Sequence, residues 1–561
     1  MASHIIDALV KLPFADKAYD IATEFMTEHR GWFVIIFVLP FSLLFDIFFQ
    51  IRAAIVMRFY SAPELHNERV KNIQNQIKAH LESGSTKRLC TARGGWQSIS
   101  PGNRDYKTSG ASHQISVNLY DILTLDEENM TVRVEPMVNM GQLSHYLTPL
   151  GYTIPVLPEM DDLTVGGLMM GVGIECSSHK YGLFNDTVVE LELVLSDGSC
   201  VSCSKTKNRE LFDACPWSYG TLGMLTAVTI KVMKSKPFVR LEYFPCYDKK
   251  KGAALFQKHS EEQMADFVES LAYSQHEQVV MTGTYVDASE VVYAEKNSIG
   301  LWYKPWFFKH VQSKLLANKD EGSTVEYIPL RDYFHRHTKA IFWELEQIIP
   351  VGNHPVFRFL LGWAVPPKVS FLKLTQTQKI KELYETQHVI QDMLVPMSKL
   401  GEALDVFKKQ YDLYPLWICP YKAYDYTDAE APHRCFLRKP EGTKKPFLEG
   451  EKLRSEMYVD IGAYGIPQAV LDKKPFDAVA TGRKVEEYVA KVKGFQMLYA
   501  DSYMTKDEFR SMFDHVHYDK MKSKYDARGA FPEVYAKVCK KGQALWGKGG
   551  EKVAEEGKKK K

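Results

Sequence analysis

The sequence predicts an α+β fold with one N-terminal transmembrane helix. Three observations predict it. Residues 31–45 read GWFVIIFVLPFSLLF without a charge. From about residue 85, short segments of alternating polarity are separated by glycine turns, the pattern of strands. Among them lie runs such as residues 141–150 that read as short helices. At 561 residues the chain holds three to four domains' worth of sequence, taking ~150 residues per domain. Hydrophobic residues make up 45% and charged residues 25%, which excludes a disordered chain. The net charge, 71 − 69 = +2, excludes a broad cationic face, so no nucleic-acid partner is expected. Aromatics at 12% favour a large apolar pocket or membrane contact. Nine scattered cysteines, an odd number, make no disulfide scaffold and point to a reducing compartment.

The apolar run continues past Asp46 to Ile51, and residues 31–51 in a helix span ~30 Å, the thickness of a bilayer's hydrocarbon core. Pro40 kinks such a helix but is tolerated in membranes. A signal peptide fits less well, because about 30 polar residues precede the run and no A-x-A site closes it. The alternative is a buried or interfacial helix. Lys11, Lys17 and Arg30 lie upstream; Arg52, Arg58, Arg69, Lys71 and Lys78 lie downstream. That excess places the C-terminal bulk in the cytosol, in a single-pass topology with residues 1–30 as the N-terminal segment. The glycosylation sequons at Asn129 and Asn185 would then be unused. Ser61-Ala62-Pro63-Glu64 forms a capping box, and Val70, Ile73, Ile77 and Leu81 make a helical stripe. Residues 59–84 therefore read as a linker helix.

Ile115–Leu119 and Met130–Glu135 alternate as strands. Next come Asp161–Gly173, carrying T-V-G-G, and then Tyr181-Gly182-Leu183-Phe184-Asn185-Asp186. Val188–Leu195 reads as a strand, Ser196–Ser199 as a turn and Thr226–Val232 as a closing strand after G-T-L-G. Glycines let backbone amides approach a pyrophosphate that a Cβ would hold off. Gly171-x-Gly173-x-x-Cys176 is not the Rossmann fingerprint, because its last position is Cys. Singly, such glycines also fit tight turns.

In this order, the segments resemble the FAD-binding domain of the vanillyl-alcohol oxidase type. The early loop of that family falls here on Thr91-Ala92-Arg93-Gly94-Gly95-Trp96. Trp96 and Gln97 stand where a flavin-linking His is often found, so the resemblance implies non-covalent FAD. It assigns the cofactor to Arg93, Gly94 and Gly95, to the run Thr164, Val165, Gly166, Gly167, Leu168, Met169, Met170, Gly171, Val172, Gly173, Ile174, Glu175 and Cys176, and to Gly182 and Gly223. Longer strings are similar to the delta(24)-sterol reductase family, in its animal form: LPEMDDLTVGG, IECSSHKYGLF, residues 302–310, 327–331 and 335–338, Val365-Pro366-Pro367-Lys368, and Gly494–Asp501. The similarity covers nearly the whole chain except the tail after about Lys541.

What the resemblance implies is an FAD-dependent reductase of the sterol side-chain double bond, with NADPH as reductant and substrates such as desmosterol. The implied fold is a two-part FAD-binding domain, residues 85–235 and 446–540, with an α/β substrate domain inserted at 236–445. Reducing an isolated trisubstituted alkene takes a proton donor beside the flavin in a dry pocket. His335, His337 and Tyr464 are the candidates. Alternation places the two histidines on one face of a strand, and a purely structural role is the alternative for each. Tyr499 and Tyr503 are weaker candidates, and Lys304 and Arg331 are candidates for NADPH phosphates. No metal site is expected; Cys200-Val201-Ser202-Cys203 lacks a partner pair. Residues 421–452 read as a surface loop and residues 541–561 as a disordered basic tail. The terminal Lys558–Lys561 fit dilysine retrieval to the endoplasmic reticulum membrane, with the Golgi membrane as a further location. The rival readings are another flavin oxidase of the same fold and a non-enzymatic sterol-binding membrane protein. The sequence does not specify oligomeric state.

Overall fold

The computed structural model describes residues 24–547 except 26, 60–61, 101–106, 108–109, 111, 318–321, 426–435, 443–452 and 527–528. An apolar helix comes first. Arg30–Phe33 enters a π-turn at Val34–Val38, which leads into α1, Leu39–Phe59. Pro40 accounts for the irregularity, since it has no N–H and its ring displaces the carbonyl of the preceding turn. Arg30–Val56 is long and apolar enough to cross a membrane. One side packs on the body of the protein through buried Val34, Val38, Leu39 and Ser42. The Phe41 and Phe45 rings lie 5.0 and 5.2 Å from Phe371. Asp46 pairs with Lys368 at 2.7 Å and Arg52 with Asp121 at 2.9 Å. The other side exposes Ile36, Phe37, Leu44, Phe48 and Ile51.

Helix α2, Ala62–Glu82, buries the predicted stripe of Val70, Ile73 and Ile77 against Leu89, Ile115 and Leu119. Its polar side clasps the first sheet: His66 bonds Glu135 at 2.9 Å and Arg69 bonds Asp121 at 2.7 Å. Ser61 of the capping box lies outside the described residues.

The first sheet has five strands: β1 (Ile122–Asp126), β2 (Thr131–Val134), β3 (Val188–Val194), β4 (Cys200–Ser204) and β5 (Met224–Lys231). Their order is β1-β2-β5-β3-β4, all antiparallel. The strand expected at Ile115–Leu119 is shifted to Ser112–Ile115, paired in parallel with Arg88–Thr91. It stops there because the amide of Ser116 bonds the Gln76 side chain of α2 instead of a neighbouring strand. Helix α3, Val165–Met170, carries the glycine-rich segment.

The second sheet has eight strands: β6 (Phe238–Cys246), β7 (Phe267–Ala272), β8 (Gln278–Val286), β9 (Thr324–Pro329), β10 (Val389–Pro396), β11 (Leu416–Tyr424), β12 (Ser455–Gly465) and β13 (Phe495–Gln496). Their order is β9-β6-β8-β7-β11-β12-β10-β13, again antiparallel. β11 corrects the surface loop expected at 421–452. Residues 421–424 belong to an interior strand, and the Lys422 ammonium is buried, donating to Gln263 at 2.8 Å. Much of the remainder, 426–435 and 443–452, lies outside the described residues.

Two further expectations change. Residues 541–547, read as disordered tail, continue a helix, Lys540–Gly547. It is held because Gly542 packs against the Tyr535 backbone and Gln543 donates to the Lys537 carbonyl at 2.8 Å. Residues 548–561, with the terminal lysines, lie outside the described residues. His335 and His337 are not on a strand: α4, Leu330–Phe334, ends at His335 and a turn follows. Pro329 stops β9 and Asp332 stands in the first turn, both of which favour a helix start.

Candidate active site

A cavity of about 750 Å³ lies where the glycine-rich segment meets the eight-stranded sheet, within the range of ordinary ligand pockets. One side is a glycine edge. Thr164, Gly167, Leu168, Gly171, Val172, Gly173 and Ile174 line it, and Arg93, Gly95 and Trp96 also line the cavity. A Cβ on Gly167 would meet only Thr164 Oγ1, at 3.1 Å, and otherwise point into open space. One on Gly171 would lie 2.7 Å from the Gly167 carbonyl oxygen, so the chain turns there only with glycine. Among the described residues, the amides of Val172, Gly173 and Ile174 donate to no protein backbone acceptor. Buried N–H groups are normally paired. A bare glycine edge with successive free amides fits an anionic, carbonyl-rich ligand such as FAD.

The other predicted cofactor residues lie away from the cavity lining. Val165, Met169 and Met170 are buried in the core. Gly166 packs on Pro136, and Gly94 lies under the Trp96 ring. Gly182 adopts φ +77° beside Asp186, and a Cβ on Gly223 would sit 3.2 Å from the Val194 carbonyl. Glu175 and Cys176 enter the ion network described below. None of these nine residues lines the cavity.

The opposite wall comes from one face of the second sheet. In β12 the pattern Asp460-x-Gly462-x-Tyr464 puts three alternate residues on that face. Gly462 stands opposite Asp392 of β10 and Trp417 of β11. Tyr464 Oη donates to Asp392 Oδ1 over 2.6 Å. Tyr464, Asp392 and Trp417 line the cavity together with Phe342, Ile341, Ile390 and Glu159. Asp392 and Asp460 are buried near each other on that face. Burial raises the Asp392 carboxyl to about 7. Burial, then Asp392, pushes Asp460 well above the usual carboxylate range. Burial and the neighbouring Glu175 do the same to Glu159.

Of His335, His337 and Tyr464, the structure brings only Tyr464 to the cavity. His337 is buried behind the wall, its Nε2 3.2 Å from Glu269 Oε2 and its ring stacked 4.6 Å from Phe342. Burial lowers its pKa, so the ring is held neutral. His335 bonds Ser144 Oγ at 2.7 Å and pairs with Asp161 at 2.9 Å. Between them, buried Arg336 binds Glu269 at 2.7 and 2.9 Å and Glu175 at 2.9 Å. Trp417 Nε1 donates to Glu269 at 3.0 Å, so this network orients a cavity-wall ring. Tyr499 and Tyr503 do line the cavity; Lys304 and Arg331 do not, and Arg331 lies 3.6 Å from Asp161.

Sequence reasoning missed Glu159, Asp392, Asp460 and Trp417. The signal was present for two of them: an acid inside an apolar strand run, Ile390-Gln391-Asp392-Met393-Leu394 and Val459-Asp460-Ile461, needs a buried partner. Among the described residues, no group of His, Cys, Asp and Glu is placed to hold a metal, and Cys200 and Cys203 sit on β4 as free thiols.

The glycine edge and an aromatic, acid-bearing wall on one cavity define a flavin-binding oxidoreductase. Residues 69–204 match the FAD binding domain family. Over 518 residues, 92% of this chain and 95% of the relative, the protein is 48% identical to Delta(24)-sterol reductase of Homo sapiens. It is 42% identical to a Delta(24)-sterol reductase homolog of Caenorhabditis elegans, covering 93% and 96% of the two chains. To the Delta(24)-sterol reductase of Pisum sativum it is 38% identical, covering 95% of each. The chain belongs to the delta(24)-sterol reductase family, with higher identity to these animal relatives than to the plant one.

Proposed function

We propose that this protein reduces the delta-24 side-chain double bond of sterols such as desmosterol, with non-covalent FAD and with NADPH as reductant. The observation that carries this reading is that the glycine edge and the Tyr464–Asp392 wall face one cavity. When bound along Gly167, Gly171 and the 172–174 amides, FAD supplies the hydride. The chain's own residues do the rest. Ile341, Phe342, Ile390 and Trp417 make that wall apolar, which excludes water and suits a branched hydrocarbon side chain. Tyr464 delivers a proton to the less substituted alkene carbon, breaking its O–H bond as a C–H bond forms. The positive charge then falls on the tertiary carbon, where the Phe342 and Trp417 faces stabilise it. NADPH reaches the same cavity first and leaves before the sterol enters, a ping-pong order.

The exposed side of the apolar helix contacts lipid. The turn Gly362–Ala364 packs on α1, and next to it α5, Pro355–Leu361, exposes Val356, Phe359 and Leu360, with Trp363 following. Arg30 at the start of the apolar helix and Val369 and Leu372 of α6, Val369–Leu374, also line the cavity, so it lies beside this apolar surface. A sterol therefore passes from lipid to site with little exposure to water. We read the location as the endoplasmic reticulum membrane, extending to the Golgi, with the catalytic domain cytosolic. We divide that domain into an FAD-binding part, 85–235, an inserted substrate part, 236–445, and a C-terminal part, 446–540, whose β12 and β13 join the strands of the substrate part in one sheet.

The test is sterol analysis by mass spectrometry after incubating detergent-purified enzyme with NADPH and desmosterol. The reading expects a product two hydrogens heavier that requires NADPH. Sterol recovered unchanged while the protein oxidises a polar alcohol with oxygen would overturn it.

A further inference from the structure

Two acids in neighbouring strands share a buried site in which, among the described residues, no cation neutralises them. Asp392 on β10 and Asp460 on β12 are 2% and 0% exposed. Asp460 lies on the same face of the sheet as Asp392, two residues along β12 from the Gly462 that stands opposite it, and two acids buried this close do not both ionise, so at least one carries a proton. Among the described residues, neither Asp460 oxygen has a hydrogen-bond partner. The side-chain bond to Asp392 comes from Tyr464 Oη, which lies on the cavity wall. The arrangement is a chain: carboxyl, carboxyl, phenol, cavity.

We propose that Asp392 and Asp460 form a buried carboxyl pair that holds a transferable proton on Asp392 and passes it through Tyr464 to the substrate. The inference rests on the reductase reading above. In the step, the Tyr464 O–H bond breaks as a C–H bond forms at the alkene. The Asp392 O–H bond breaks as the Tyr464 O–H bond re-forms. Asp392 is left as carboxylate while Asp460 keeps its own proton, so the pair holds two protons before the step and one after it, and a proton from water restores Asp392 between turnovers. The reason for a relay is acidity. Burial makes Tyr464 alone a poor acid, whereas a carboxyl with its proton held near neutrality is matched to the task. Other titratable groups face the pair from each side. Glu159, before α3, acts on Asp460 and is itself coupled to Glu175 and Arg336; Cys419 of β11 stands opposite Asp460. Glu159 and Cys419 are both held neutral by burial, so they leave the proton on the pair. β13 presents Phe495 and Gln496, which do not titrate.

The test has two readouts. The first is the infrared C=O stretch of a protonated carboxyl in purified protein at pH 7, without NADPH or sterol, for wild type, Asp392→Asn and Asp460→Asn. The account expects a protonated-carboxyl band in wild type that either substitution removes or shifts. The second is the sterol step in Tyr464→Phe, which keeps the ring and so the packing. It is expected to fall ~10²–10⁴-fold, with the infrared band retained. If the Asn variants fail to fold, the wild-type band and its loss on raising the pH decide the first readout. No band at pH 7, a band unchanged in both Asn variants, or full sterol turnover in Tyr464→Phe would each overturn the relay. Wild-type protein that shows the band but reduces no delta-24 sterol would overturn the functional reading instead.

Discussion

Tyr464 Oη reaches Asp392 Oδ1 across the space that a side chain at Gly462 would fill. A Cβ at Gly462 would strike both oxygens, coming within 2.6 Å of the Asp392 oxygen. The hydrogen bond at the cavity wall therefore depends on a glycine with ordinary strand geometry. Gly462→Ala is expected to lengthen that bond, cost ~1–3 kcal/mol of stability through overpacking, and slow the sterol step at least tenfold. FAD content should stay at the wild-type level. Rapid-reaction kinetics with denaturation of the same preparation checks all three.

Gly167→Val places two methyl groups into the cavity, because the Cβ direction there meets only Thr164 Oγ1. The folded protein loses little from this; the bound cofactor loses its seat. The expected outcome is colourless protein with a melting temperature close to that of cofactor-stripped wild type. A variant that stays yellow after gel filtration would remove Gly167 from the flavin edge.

His337→Ala tests whether the buried histidine acts by chemistry or by support. The substitution deletes a stacked ring and one bond to Glu269, which together cost ~2–4 kcal/mol. Since the ring is held neutral behind the wall, the sterol step should fall less than in Tyr464→Phe and keep the same dependence on pH. That dependence has a definite sign. An acid raised by burial to about 7, as Asp392 is, donates below that pH and loses its proton above it, so the sterol step should decline as pH rises through 7. Loss of this limb in His337→Ala would return the histidine to the list of proton donors.

Phe359 and Leu360 are 69% and 59% exposed, too much for residues of their size without a covering surface. Burying such a side chain contributes ~1.5–3 kcal/mol. Phe359→Glu is therefore expected to weaken binding of the purified protein to lipid vesicles by ~10-fold or more, while leaving turnover of detergent-dispersed sterol intact. Vesicle flotation and a detergent assay read the two effects separately.

Part of the glycine edge of the cavity was legible in the sequence, because it is local. The glycines from 166 to 173 lie within one short stretch, and their chemistry follows from having no Cβ. The apolar stripe of α2 was legible for the same reason, through its helical period. The proton side was not, because Asp392 and Asp460 are 68 positions apart and meet only through strand pairing across Gly462. The histidines misled because alternation in four residues suits a strand as well as the end of α4, and Pro329 with Asp332 decides for the helix. Lys422 was lost in an apparently polar loop, although the apolar residues of Leu416–Tyr424 already marked an interior strand.

The most direct test is a visible absorption spectrum of the purified protein under anaerobic conditions, first with NADPH and then with desmosterol. The account predicts that NADPH bleaches the flavin absorption and that the sterol restores it without oxygen. A colourless protein, or a bleached flavin that recovers only when oxygen is admitted, would contradict it.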